Sequence, residues 1–408
     1  MNPENKICFF INWLRELDMY EETYKNLPAD NFFFIINNQN KSKRSNMKEV
    51  ERIKKYFKDN SIRNYELLSE FKSENKFKVL ISTADLPVSF LSIKSILRFI
   101  YAQTVGSIIQ FLRLDVLCKN FFDRDITCGG RNSDIFDNKY IEKKLSKKTI
   151  KFPNGLDRNT FYFPDKRWKD VFDIYFCSSK IEDNLIKKKF KNIETFFIGY
   201  PRFDLKKHSN KNKVLFNKDF NFIKDKKKIV CLPNERVMTS QNFKAIQRYI
   251  EVLLTLSNEY NLILRPHPKL QDINYKFYQM IKESGLKLDL EIHRNIFDLL
   301  SESDLILADY GNIVLESIYL RKKIIIYEWP NEKKFRILND KKNCLDFSVR
   351  KNLEIIDFSE PKKYLSKIHN LIANDTYQNN IVKYSEELFN EKKNKKDLNN
   401  LLKEIYAT

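Results

Sequence analysis

Three short stretches carry side chains able to do chemistry on a phosphate. In RPHP, residues 265–268, Arg265 and His267 follow directly on an apolar, strand-like run. A proline cannot donate to a sheet ladder and pushes its predecessor toward extended backbone, so the strand must end there in a stiff elbow. Strand ends of this kind are where open α/β sheets bind ligands. In ADYGN, residues 308–312, a second apolar run ends and a helical pattern begins. A helix N-terminus presents free N–H groups and the positive end of its dipole, which suits an anion. Asp309, Tyr310, Gly311 and Asn312 form this turn, with Gly311 allowing close approach to a phosphate and Asn312 expected as the N-cap. Glu316, one turn further on, is placed to reach ribose hydroxyls. In GYPRFD, residues 199–204, Arg202 beside a proline turn is a candidate phosphate contact, with hinge packing as the alternative. Alone, RPHP reads as a rigid turn whose histidine caps a helix, and DYGN as an ordinary N-cap. At consecutive strand ends of one sheet they point to a site.

The elements that position these stretches alternate between apolar runs and helical spacing. Strands are expected at Ile7 to Ile11, Phe32 to Ile36, Lys78 to Ser82, Ile108 to Phe111, Asp125 to Cys128, Ile174 to Cys177 and Thr195 to Ile198, with helical patterns such as Met47 to Phe57 and Leu86 to Tyr101 between them. A second block follows. Strands at Lys228 to Cys231, Leu262 to Leu264, Leu290 to Ile292, Leu305 to Ala308 and Lys323 to Tyr327 alternate with helices at Asn242 to Leu256, Ile273 to Ser284, Ile296 to Leu300 and Asn312 to Leu320. Strand and helix in alternation imply parallel βαβ units. The expected fold is α/β, with two Rossmann-like, doubly wound domains facing a cleft in a GT-B-like arrangement. The boundaries read as 1–204 for an acceptor-side domain, 205–227 for a charged linker, 228–390 for a nucleotide-donor-binding domain, and 391–408 for a terminal helix able to pack back on the first domain.

Composition narrows the partners. The 408 residues include 33 Phe and 20 Tyr, ample for two cores and unlike a disordered chain. A net charge of +20 favours anionic partners. Paired-cysteine zinc spacing, an RNP-like aromatic motif and a heptad-backed basic region are all missing, which argues against nucleic acid. The six cysteines are scattered without a CxxC and read as buried thiols of a reducing cytoplasm. The start MNPENKICFFINWL lacks a basic n-region and is not a signal peptide, and Lys94 and Arg98 interrupt the apolar run 86–112, so no membrane span is expected. A DxD motif and a His/Cys cluster are also missing, so neither a metal nor another cofactor is expected. Lys94, Arg98, Arg113 and KKLSKKTIK, 143–151, form a basic patch suited to peripheral contact with the anionic inner membrane face, with a charged-flanked core helix as the alternative.

The stretches DIYFCSSKIEDNLIKKKFKNIETFFIGYPRFD, IVCLPNER, LILRPHP and FDLLSESDLILADYGNIVLESIYLRKKIIIY, taken in order, resemble the CDP-glycerol glycerophosphotransferase family of teichoic-acid synthesis over about residues 170–330. HP and Ser motifs of CMP-sialic acid and CMP-3-deoxy-octulosonate transferases are related. The resemblance implies a cytidine-nucleotide donor, CDP- or CMP-linked, and an anionic or lipid-linked saccharide acceptor. It further implies that Arg265 and His267 contact the donor phosphate, Asp309 to Asn312 cradle it and Glu316 holds the ribose. This chain departs from the pattern twice. Gly311 and Asn312 stand where the family has a serine pair, and no histidine precedes His208, so the family's first-domain histidine has no counterpart. A general base must be titratable and within reach of the acceptor hydroxyl, which leaves Asp157 and Asp85 as candidates, either of which reads equally as a helix cap. Other readings are a UDP-sugar epimerase and a nucleotide-binding protein without catalysis.

Overall fold

The computed structural model describes residues 3–38, 43–72, 74–83, 140–153, 155–156, 168–191, 193–208, 220–234, 241–267, 270–291, 296–309, 311–329, 349–357, 361–389 and 396–407. The N-terminal sheet contains β1 (Ile7–Ile11), β2 (Phe32–Ile36), β3 (Tyr65–Leu67), β4 (Phe77–Ser82), β5 (Ser146–Lys151), β6 (Ile174–Cys177) and β7 (Glu194–Phe197). Its strands run parallel in the order β3-β2-β1-β4-β5-β6-β7, so the winding reverses between β1 and β4. The second sheet contains β8 (Lys228–Leu232), β9 (Asn261–Leu264), β10 (Leu305–Ala308), β11 (Ile324–Glu328) and β12 (Glu354–Asp357). It is parallel in the order β12-β11-β10-β8-β9, with its reversal between β8 and β10.

Strands such as ICFFI, FFFII and LILA are apolar at every position and buried throughout. That is the mark of parallel strands covered by helices on both faces. A continuous apolar core joins the two sheets: Phe203 packs on Phe297 with ring centroids 5.5 Å apart, and Tyr319 on Phe389 at 5.1 Å. Cys231 is buried in this core, and Cys177 and Cys8 are buried in two smaller clusters. The Leu398–Ala407 helix returns to the first sheet, where the Tyr406 hydroxyl donates to the Asn5 carbonyl and Lys78 Nζ lies 4.8 Å from the Tyr406 ring centre.

The structure corrects several expected elements. Of the strand expected at Leu290 to Ile292, Leu290 and Glu291 are not in a strand and Leu290 is exposed, while Ile292 lies outside the described residues; the isolated bridge to Leu264 is made by Leu288. The single helix expected over 273–284 is two, Leu270–Ile273 and Tyr275–Lys282, because the Asn274 side chain caps the second by accepting from Phe277 N at 3.2 Å. The boundary at 204/205 falls inside the Pro201–His208 helix. In KKLSKKTIK the last six residues are β5, paired on both sides within the sheet, with Lys144 and Lys147 exposed and Lys143 and Lys147 within ion-pair distance of Asp173 and Glu4. Lys151 there is buried, its ammonium donating to the Thr83 and Phe152 carbonyls at 3.0 and 2.9 Å and lying 4.7 Å from the Trp168 ring centre. The strands expected at Ile108 to Phe111 and Asp125 to Cys128, the helix at Leu86 to Tyr101, and the charges Lys94, Arg98 and Arg113 lie outside the described residues.

Candidate active site

Three strand ends of the second sheet meet at its reversal point. β9 ends at Leu264, and Arg265 continues beside β8, its N–H donating to the Cys231 carbonyl at 3.0 Å. Arg265 is held by a buried carboxylate, Nη1 lying 3.2 Å from Asp289 Oδ2, so part of its work is to pin the end of β9. His267 is half-buried in the elbow, and its carbonyl accepts from Leu270 N at 2.9 Å, starting the helix that follows.

After β10 the chain turns into the Asn312–Tyr319 helix, and here the expected roles change. The N-cap is Gly311, at φ +92 and ψ −160 with no side-chain cap, and Asn312 is the first helical residue. Gly311 thus occupies backbone that side-chain-bearing residues scarcely adopt. No side chain caps this turn, Val314 N donates to the Gly311 carbonyl at 3.1 Å, and the positive end of the helix dipole here suits an anion. Gly311→Ala strains this turn, and a stability loss of about 1–3 kcal/mol is expected in urea unfolding.

Asp309 lies beneath the turn, not toward the cleft. Fully buried, its carboxylate accepts from Asn234 N at 2.9 and 3.2 Å and from Trp329 Nε1 at 2.8 Å, while its carbonyl accepts from Arg350. It ties the ends of β8 and β10 together. Tyr310 lies outside the described residues, as do Asp157 and Asp85.

Glu316 also has a different task from the one its position suggested. Its Oε1 accepts from the Tyr200 hydroxyl at 2.8 Å, from Arg202 Nη1 at 3.0 Å and from Asn312 Nδ2 at 2.8 Å. Arg202 Nε lies 3.5 Å from Asp18 Oδ2. Burial pushes the Glu316 carboxyl above its usual range, against the pull of Arg202 and Tyr200. Arg202 is therefore a charge partner of Glu316 and Asp18. Further links cross the boundary between the two domains, among them Tyr200 N, which donates to the Tyr319 hydroxyl at 3.1 Å. Tyr319 OH donates to Asp204 Oδ1 at 2.7 Å, and Leu156 N donates to Asn312 Oδ1 at 2.8 Å. A Cβ on Gly155 would meet the Asn312 amide at 3.1 Å, so this approach depends on glycine.

The domains thus close on one another around the helix N-terminus. The match to the CDP-glycerol:poly(glycerophosphate) glycerophosphotransferase family covers residues 153–406, well over half of the chain. The chain belongs to this family. It is 28% identical over 172 residues to the teichoic acid glycerol-phosphate primase of Bacillus subtilis (strain 168), covering 40% of this chain and 42% of the primase. It is also 28% identical over 168 residues to the teichoic acid poly(glycerol phosphate) polymerase of Bacillus spizizenii, covering 38% of this chain and 41% of the polymerase. Each match spans about two-fifths of the relative's length. The structure of the wall teichoic acid polymerase TagF superposes with a TM-score of 0.59 at 14% identity, covering 100% of this chain and 88% of that one. UDP-GlcNAc 2-epimerase from Neisseria meningitidis superposes at 0.50 and 14% identity, covering 98% and 99%. These likenesses establish the GT-B-type fold.

Sequence reasoning passed over Tyr200, Asp18, Asn234, Asp289, Trp329 and Arg350. Tyr200 and Asn234 left a signal, as residues inside GYPRFD and IVCLPNER; the others lie twenty or more residues along the chain from those they hold. Among the described residues no group of three or more His, Cys, Asp or Glu side chains could hold a metal ion.

Proposed function

We propose that this protein transfers glycerol phosphate from CDP-glycerol to a hydroxyl of a cell-envelope saccharide or teichoic acid chain. The observation that carries the reading is the glycine-capped helix N-terminus at the reversal point of the second sheet, beside the elbow bearing His267, in a chain of this family. The acceptor hydroxyl attacks the β-phosphorus and gives up its proton to solvent, the bond to the bridging oxygen breaks and CMP leaves. The helix N-terminus stabilises the phosphate charge, and His267 protonates or hydrogen-bonds the departing phosphate. Calorimetry should show CMP and CDP binding, and CDP-glycerol should release CMP when acceptor is present. Absence of binding by both nucleotides overturns the reading, and turnover of a CMP-sugar in place of CDP-glycerol reassigns the donor.

No helix among the described residues is long and apolar enough to cross a membrane. The +20 charge supports electrostatic attachment to an anionic membrane face or a polyanionic acceptor. Sedimentation with anionic vesicles should then weaken as salt rises, and binding indifferent to both salt and lipid charge would show this part to be wrong.

A further inference from the structure

The first sheet has its own reversal point, between β1 and β4, and polar side chains collect at its carboxyl edge. Asn12 follows β1, Asn37 follows β2 and Thr83 follows β4, all three buried. Asn37 Nδ2 donates to Asn12 Oδ1 at 2.7 Å, and Glu16 Oε2 accepts from Asn12 N at 2.6 Å and from Trp13 N at 3.3 Å. Thr83 N donates to the Tyr20 hydroxyl at 2.9 Å. Two atoms of this cluster make no hydrogen bond among the described residues: Asn12 Nδ2 and Thr83 Oγ1. Thr83 Oγ1 is near enough to Glu16 to help hold its pKa down against burial, though no bond of regular geometry joins them. Leaving such groups dry and unpaired is costly, and where a ligand supplies the partner the cost falls away on binding.

Directly beside them stands Trp13, 40% exposed. The same turn faces the donor side of the cleft. Arg15 acts electrostatically on Glu316, and Asp18 contacts Arg202, which is bonded to the Glu316 that anchors Asn312.

We propose that Trp13, Asn12, Asn37, Thr83 and Glu16 form a subsite for an uncharged sugar ring at the acceptor end, an inference that rests on the transferase reading above. The indole offers a flat face for the ring's C–H surface. The Asn12 amide donates to a ring hydroxyl, while Thr83 can donate or accept. The Glu16 carboxyl makes the place unfavourable for a phosphate. Lys151 has its ammonium turned to backbone carbonyls, and Arg15, beside Glu16 in the chain, acts on both Glu16 and Glu316.

Fluorescence tests the subsite directly, because Trp168 and Trp329 are buried and acrylamide quenching reports chiefly on Trp13. With CMP present, methyl N-acetyl-β-D-glucosaminide is expected to shield Trp13, and sn-glycerol 3-phosphate to shield it far less. Thr83→Val should weaken the glycoside about tenfold, the worth of one hydrogen bond to a buried hydroxyl. Its thermal melt, run on the same sample, checks that the fold is kept, because Thr83 Oγ1 also lies near the Glu16 carboxyl and the Tyr20 hydroxyl. Trp13→Ala, at an exposed position, should lose glycoside binding by calorimetry while keeping CMP affinity. Lack of shielding, equal shielding in Thr83→Val, or stronger shielding by glycerol 3-phosphate overturns the subsite. CMP titrations on the same samples separate the cases: lost CMP binding refutes the donor reading, while intact CMP binding without shielding refutes the subsite alone.

Discussion

Glu316→Ala is expected to cost about 3 kcal/mol of stability in urea unfolding, the low end for breaking a buried ion pair. Arg202, whose side chain keeps 20% of its exposure, is then left to Asp18 alone at 3.5 Å, and the Tyr200 hydroxyl and the Asn312 amide lose a shared acceptor. Adding Arg202→Met should recover part of that loss, because the uncompensated charge goes with it; a double variant no more stable than Glu316→Ala alone would refute the pairing argument. Glu316→Gln adds a pH test. Burial raises the folded carboxyl above its unfolded value, so the folded state binds the proton more tightly. The Glu316 share of stability is therefore smallest above the raised value and grows as pH falls toward the ordinary carboxyl range. Glu316→Gln should lose that part of the pH dependence, and an unchanged profile would mean that the carboxyl is not raised.

His267→Ala is expected to lower the rate of glycerol phosphate transfer by about 10²- to 10⁴-fold, the usual worth of a positioned acid or base. CMP affinity should change no more than about threefold, because the helix N-terminus and not the imidazole is assigned most of the phosphate contact. His267 is half-buried at the end of the elbow and Pro266 fixes the backbone beside it, so the substitution leaves the fold in place. A transfer rate within threefold of the wild type would remove His267 from the chemistry. A large drop in CMP affinity with the rate at saturation intact would make it a binding residue.

The fold was legible because parallel strands buried on both faces are written as unbroken apolar runs. β1, β2, β6 and β10 have the bounds their sequences suggest. β5 was not legible, since three lysines in SKKTIK outweigh its apolar residues, and only pairing with β4 and β6 makes it a strand. β3 and β12 are short strands at the edges of their sheets, with too few side chains to set a period.

By itself the sequence determined where strands must stop, since the prolines of RPHP and the glycine of ADYGN are local constraints on backbone. It also determined that Arg265, His267, Gly311 and Asn312 follow strand ends of one sheet. The tertiary structure decided what the charged groups do, because a carboxylate's role depends on partners that the chain brings from far away. Asp309 meets Asn234, Trp329 and Arg350 and becomes a buried tie. Glu316 meets Tyr200 and Arg202, more than a hundred residues earlier in the chain, and becomes the bond between domains. Desolvation sets the reason: a charge taken out of water must find partners, and which partners are in reach is settled only when the two sheets pack.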